Sequence, residues 1–438
     1  MLRLGQLLIF LLVSRPYDGL NSKSSYDDLA SKITSSKFID EYEDLLKLER
    51  NENLEKSCFD FLESSYGDFF YKVGRIKDKD IFQEKMREYY TFISNFVEVI
   101  TPRRFSFTQK EFIANFMLWT YIYDDAITSL IDKLNSNHIL KAAGSGLVES
   151  LNNHVYSSWL SGLEGNDKPE YNCPNFCSRI LFNSDKINAF KDITDVSFIF
   201  ASKLSNYLSE EMEPLLEIVS SEFLATLNGI TEQSARAPET VSSYFERHKK
   251  TGGIKLFFSL NILFHVSNMS LTLDAAEISN LLRHDPLISA YLSSGEDCII
   301  FSNDASGAKD IGGDDESLLA IYIGEKVIGQ RLNTARDHGQ VLAKYLATEE
   351  GFQSMVELNE NLRASFFLFN SMLDAIQKYS TDSVIKQTLG EAIVPWVYGY
   401  HIYSPLTSRY GPFFRAYMIA LTGDFDRYRS YLESIASE

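Results

Sequence analysis

The stretch Phe112–Asp125, FIANFMLWTYIYDD, decides the fold. Phe112, Phe116, Trp119 and Tyr123 recur at steps of four, three and four, which places their rings on one stripe of a helix. The same periodicity runs through roughly 80–100, 108–133, 195–230, 239–250, 254–270, 317–348, 351–380 and 383–404. Alternating runs of the β type are scarce, and Pro and Gly cluster between the periodic segments. Ala235-Arg236-Ala237-Pro238 reads as a linker with a helix start just after it, and Gly312-Gly313-Asp314-Asp315-Glu316 as a loop before the next helix. No internal repeat is present, and no linker is long enough to divide the chain. The sequence therefore predicts an all-α protein whose residues 23–438 form one large helical domain.

Composition agrees with a large packed core: of 438 residues, 45% are hydrophobic and 13% aromatic, too many for a disordered chain. The 42 Lys and Arg face 60 Asp and Glu, a net charge of −18. That balance excludes a general binder of nucleic-acid backbones. A polyanionic ligand would need a small basic site or bridging cations.

Residues 1–22, MLRLGQLLIFLLVSRPYDGLNS, have the layout of a secretory signal peptide or N-terminal anchor: Arg3 is followed by an apolar run from Leu4 to Val13, interrupted by Gly5 and Gln6. The run is too short to span a bilayer, and no later stretch is a spanning candidate. This predicts the secretory pathway or an endoplasmic-reticulum association if the segment is a signal, and the cytoplasm otherwise. Any membrane contact is expected through this segment alone, if it stays uncleaved. Of four cysteines, Cys173 and Cys177 could pair in a lumen. The sequon Asn268-Met269-Ser270 lies in an apolar helical stretch, so no glycan is expected there.

Dinucleotide fingerprints, phosphate loops, zinc-protease motifs and nucleophile elbows are all missing. Four constellations remain. Asp124-Asp125 closes the aromatic run; an isolated Asp pair is more often a solvated helix terminus, but a carboxylate beside so many rings needs a counter-charge, and magnesium is a suitable one. Ser302, Ser306 and Asp310 lie at i, i+4 and i+8 on a helix, with their oxygens on one face; Asn303, Ser306 and Asp310 fit a face nearly as well. Such hard donors suit a cation, though polar helix surface explains them when taken alone. Arg247 in Tyr244–Gly253 belongs to a basic cluster before a helix break and could fork onto phosphate oxygens; a cationic helix end with a glycine cap is the plainer account. The aromatic segment from Trp396 ends in Arg409-Tyr410, which could serve as a second phosphate-binding pair or as ordinary core and surface.

In this order, over roughly residues 80–425, the four constellations resemble the class I terpene synthases of the microbial, amoebal and coral type. Asp124-Asp125 falls at that family's aspartate-rich metal motif. The segment Ser302–Asp310, with Lys309 before the final acid, resembles its Asn/Ser/Glu metal triad. Arg247 with Thr251-Gly252-Gly253 looks like the diphosphate sensor and helix-break effector, and Arg409-Tyr410 like the C-terminal Arg-Tyr pair. Three departures stand out. Thr128 and Ser129 occupy the places of the third acid, Ser302 stands where Asn is usual with Asn303 one position later, and the final acid is Asp.

The resemblance implies a helical bundle with an apolar central cavity. It also implies that Mg2+ ions, three in number and replaceable by Mn2+, ionise a prenyl diphosphate of fifteen or twenty carbons that the enzyme then cyclises. Asp124, Asp125, Arg247 and Asp310 would be catalytic. Asp124, Asp125, Ser302, Asn303, Ser306 and Asp310 would supply metal ligands, and Arg247, Lys309, Arg409 and Tyr410 would hold the diphosphate. A chain-elongating prenyl transferase is the nearest rival, although it normally carries two full aspartate-rich motifs. A non-catalytic binder of apolar ligands is the third reading. A small-molecule substrate, no nucleic acid, and a monomer or homodimer complete the expectation.

Overall fold

The computed structural model describes residues 51–62, 79–102, 104–135, 141–170, 184–235, 241–269, 275–306, 347–380, 383–403, 419–420 and 424–435. The N-terminal segment, Cys173, Cys177, the Gly312–Glu316 loop and the helix expected over 317–348 lie outside them. The described residues are all-α, as the periodicity predicts: they form thirteen α-helices and no strand, and the helices over 52–61, 141–163, 275–284, 286–306 and 425–435 add to the periodic segments. No described helix is long and apolar enough to cross a membrane. The helices group into two compact units, one of residues 51–237 and 247–285, the other of residues 238–246 and 286–438.

The first unit begins with α1 (Glu52–Phe61), α2 (Lys79–Ile100) and α3 (Phe107–Asn135), which pack on one another. The side chain of Asn51 caps α1 by accepting the N–H of Leu54, a bond that satisfies one free donor of the first turn. Next come α4 (Lys141–Leu163) and α5 (Ser184–Tyr207), packed side by side. Gly162 permits their approach: a Cβ there would lie 2.6 Å from the Phe198 carbonyl oxygen of α5. After a short 3-10 turn, Glu210–Met212, follow α6 (Glu213–Ala235), the end of α7 (Val241–Thr251), α8 (Ile254–Asn268) and α9 (Ala275–His284). Helix α8, IKLFFSLNILFHVSN, is apolar on nearly every side, and eleven of its residues are buried against a core that α3 and α6 also line.

One expected helix is two. The periodicity over 195–230 continues through a break at Leu208 and Ser209, where Ser209 is extended and α5 gives way to the 3-10 turn. Pro214 explains the break, because it has no N–H to bond back to Glu210 and its ring crowds that carbonyl; it fits the first turn of a new helix instead.

The second unit contains the start of α7, then α10 (Pro286–Ser306), α11 (Glu349–Tyr379), α12 (Ser383–Tyr403) and α13 (Phe425–Ile435). Helix α10 packs on α11 and α12, and α13 packs on α11. Tyr291 of α10 stacks on Phe369 of α11 at 4.7 Å and donates its O–H to the Leu389 carbonyl of α12, so one side chain fastens three helices. Phe352 meets Phe425 and Tyr428 edge-on at 5.4 and 5.3 Å and holds α13 in place.

Cys58 and Cys298 are free thiols, both fully buried. Burial, reinforced by Glu111 and Glu55, pushes the Cys58 thiol up to about 12, and burial also raises Cys298. Since the thiolate is the reactive form, both should resist N-ethylmaleimide in the native protein and react within minutes in denaturant, as peptide mass spectrometry would show.

Candidate functional site

Helix α3 carries the first set of predicted residues. Phe112, Phe116, Trp119 and Tyr123 do form one stripe, with successive ring centroids 5.7, 5.7 and 5.3 Å apart. Phe116 also meets Trp159, Phe200, Phe223 and Phe257, and all four rings of the stripe are buried. At ~0.5–1.5 kcal/mol per pair beyond burial, this cluster anchors the unit. These rings are therefore core, engaged with one another.

The polar end of the stripe is anchored as well. The Tyr123 O–H donates to Asn152 Oδ1 of α4, and Asn152 Nδ2 donates to the Leu227 carbonyl at 2.8 Å and to Thr231 Oγ1 at 2.7 Å, both on α6. With both Asn152 amide protons donated to α6 and its oxygen accepting from α3, this buried network fixes helix rotation at that level. Asp124 follows directly and is half-buried. Both Asp124 and Asp125 lie in the interior of α3, which continues to Asn135, so they are not a helix terminus. The side chains of Asp125, Thr128 and Ser129 lie outside the described ones.

In the same unit, Arg247 is half-buried on α7, with His248, Lys249 and Lys250 completing a cationic last turn. Such a turn complements the carbonyl end of the helix dipole. The predicted break is present. Helix α7 stops at Thr251, and Gly253 takes a left-handed conformation at φ +59° before α8 starts at Ile254. A side chain at Gly253 would be strained, and a Cβ would also sit 3.4 Å from Thr226 of α6. One turn further along α6, a Cβ on Gly229 would lie 2.7 Å from the Lys250 carbonyl carbon. Gly229 thus lets α6 lie close against the Lys250 backbone just before the break. Burial of the His248 ring and the adjacent Arg247 guanidinium push its pKa down to about 4, so the imidazole is neutral at pH 7 and the cluster's charge comes from its Arg and Lys side chains.

In the second unit, Ser302 and Asn303 stand on the last turns of α10 and have different surroundings. Ser302 is fully buried, with Oγ 3.0 Å from His401 Nδ1 of α12. The His401 ring meets Phe366 edge-on at 4.9 Å, and burial pushes its pKa down to about 4. Asn303 is half-buried, and its Oδ1 accepts the Tyr400 O–H at 2.6 Å. Ser306 ends α10, but its side chain, like Lys309, Asp310, Arg409 and Tyr410 as a whole, lies outside what is described. Among the described residues no group of three His, Cys, Asp or Glu side chains is placed to hold a metal. Hydroxyl and amide donors such as Ser306 and Asn303 are outside that set.

Motif search passed over Tyr400, Asn152 and His401. A tyrosine three residues before Tyr403 carries no sequence mark of its partner ninety-seven residues away, and only the packing of α12 on α10 supplies it.

The His401 ring has a consequence for stability. It binds a proton near 6.5 when unfolded and near 4 when folded. Between those values the unfolded chain holds more protons, so the contribution is complete above pH 6.5 and is lost as pH falls towards 4. At 1.36 kcal/mol per pH unit this amounts to about 3 kcal/mol. Urea midpoints should fall steeply from pH 7 to pH 4.5 in the native chain and more gently in His401→Gln.

A scan against protein-family models finds no match, and neither does a search of curated proteins.

Proposed function

We propose that the protein is a class I terpene synthase, which ionises farnesyl or geranylgeranyl diphosphate with Mg2+ and cyclises the resulting carbocation to a sesquiterpene or diterpene. The observation that carries the proposal is the helix break at Thr251-Gly252-Gly253, with Arg247 one turn before it, held by close packing against α6. A left-handed glycine after a basic last turn is an ordinary helix stop, but Gly229 inside α6 gives up ~1 kcal/mol of helix propensity to admit the Lys250 backbone at that stop. A stop held this way suits a segment that must hold phosphate oxygens.

The donor chemistry fits magnesium: Asp124 is a half-buried carboxylate, and Asn303 offers an amide oxygen oriented by Tyr400. When bound, Mg2+ would neutralise the diphosphate and stabilise it as a leaving group. Asp124 and Asp125 would be ligands from α3, Asn303 and Ser306 from α10, and Asp310 from the sequence that follows it. Asn303 is preferred to Ser302, whose hydroxyl is committed to His401 in the core. An amide oxygen has two lone pairs, so Asn303 can keep the Tyr400 bond while ligating a cation. Arg247, Lys309, Arg409 and Tyr410 would donate to the diphosphate oxygens. The departing diphosphate can itself take the final proton, so no base is assigned.

Calorimetry with inorganic diphosphate tests the binding half of this reading. Heat of binding is expected with magnesium in excess over protein and not with EDTA. Asn303→Leu should weaken that binding about tenfold, and Ser302→Ala should leave it within twofold. Equal loss in both variants would mean that the α10 ligands are wrongly assigned.

A further inference from the structure

On the outer side of the first unit, α1, α3 and α5 enclose a depression of about 570 Å3 that the proposed chemistry does not use. Its floor is built from α3. Glu111 and Asn115 stand one turn apart there, and Ser57 of α1 bridges them: Asn115 Nδ2 donates to Ser57 Oγ at 3.2 Å, and Ser57 Oγ donates to Glu111 Oε1 at 2.6 Å. This bridge uses the Ser57 hydroxyl proton and one of the two Asn115 amide protons, and it leaves the Asn115 carbonyl oxygen and the second Glu111 oxygen as acceptors. Asn115 is 7% exposed, and its Oδ1 is buried with no hydrogen-bond partner among the described residues. A buried acceptor left unmatched costs ~1–3 kcal/mol, which a ligand's donor would recover.

The rim is mixed in charge: Lys56 of α1 and Lys203 of α5 line it with the exposed Asp60 of α1, and neither lysine forms an ion pair among the described residues. The walls are aromatic: Phe61 is half-buried against Phe200, and Phe107 is 44% exposed, a large ring left open to solvent. Glu111 also acts on the Tyr207 hydroxyl, whose pKa is raised by burial first and by this carboxylate second.

Acceptors at the floor, cations at the rim and rings between them specify a ligand. We infer that this depression binds a small zwitterion with a primary ammonium group and a phosphate or carboxylate a few bonds away. The ammonium donates to Asn115 Oδ1 and Glu111 and lies against Phe61 and Phe107. The anionic group lies between Lys56 and Lys203. A simple anion would meet the Glu111 and Asp60 carboxylates, and a simple cation would leave the two lysines unused. Ethanolamine phosphate has the required chemistry, either free or as the headgroup of a phospholipid.

Calorimetry on the full chain, without magnesium or prenyl substrate, tests this site independently of the proposed reaction. Phosphoethanolamine should bind with a dissociation constant of roughly 0.1–1 mM, as expected for a headgroup-sized ligand. Phosphocholine lacks an N–H and ethanolamine lacks the anion, so each should bind at least about tenfold more weakly. Lys203→Met, at an exposed position, should weaken binding about fivefold, and Asn115→Leu about tenfold. Co-sedimentation with phosphatidylethanolamine vesicles distinguishes the sources. Vesicle binding that free phosphoethanolamine displaces assigns the site to a lipid headgroup, and binding of the free compound alone assigns it to a soluble metabolite. No heat up to 5 mM, equal affinity for phosphocholine, or unchanged affinity in Lys203→Met would overturn the inference.

Discussion

Asp125→Ala and Asp310→Ala should each reduce magnesium-dependent product formation from farnesyl or geranylgeranyl diphosphate to background, a loss of at least about a thousandfold. The size follows from the role. Magnesium is held by few protein carboxylates, and removing one leaves a hard-cation site without its main charge. The fold should survive the change on α3. Asp125 lies inside a helix whose stability comes from the buried stripe Phe112–Tyr123, and alanine is a better helix former than aspartate by ~0.5 kcal/mol. Far-ultraviolet circular dichroism should therefore be unchanged while product disappears. Undiminished product from both variants would remove the metal assignment altogether.

Gly229→Val should produce the largest structural effect. The nearest approach at this position is to backbone, the Lys250 carbonyl carbon at 2.7 Å, rather than to the end of a flexible chain. A β-branched side chain cannot be accommodated unless α6 and the end of α7 move apart. Overpacking of this kind costs on the order of 3 kcal/mol, beyond any gain from replacing a helical glycine. The displaced segment includes Lys250 and adjoins the Gly252-Gly253 break, three residues from Arg247. The variant should therefore lose thermal stability and bind diphosphate more weakly, measurable by melting curves and calorimetry on one preparation. Gly390→Val on α12 is the control. A Cβ there meets only the end of Gln377 at 3.8 Å, so little change is expected.

Much of the helical framework was legible because single helices have a period that sequence shows directly. The α3 stripe, the break between α7 and α8, and the spans of α2, α11 and α12 all follow from local pattern. Helix α4 did not. Its sequence, KAAGSGLVESLNNHVYSSWLSGL, is rich in Gly, Ser and Asn, and its apolar face is marked by small and polar residues. Leu147, Leu151, Val155 and Trp159 do recur at steps of four, but the reason for Gly162 is visible only when α5 lies against it. The division of 195–230 was hidden for a related reason: both halves keep one apolar face, so the pattern runs through the break that Pro214 enforces.

At the candidate site the residue types were legible and their surroundings were not. Neighbours in sequence, Ser302 and Asn303 point about 100° apart on a helix, as the 3.6-residue period requires. One therefore enters the core against His401, while the other reaches Tyr400 at a half-buried position. The rings of α3 carry the complementary lesson. Aromatic richness beside an acidic pair suggested cation chemistry, whereas Phe112, Phe116, Trp119 and Tyr123 are engaged in packing against α4, α5 and α6.

The most direct test of the synthase proposal is turnover. Protein lacking residues 1–22 would be incubated with farnesyl and geranylgeranyl diphosphates, with and without magnesium, and hexane extracts resolved by gas chromatography. A magnesium-dependent cyclic hydrocarbon or alcohol is the expected result, and the accepted substrate fixes the chain length at the same time. Longer prenyl diphosphates formed only with added isopentenyl diphosphate, or no product at all from a folded protein, would contradict it.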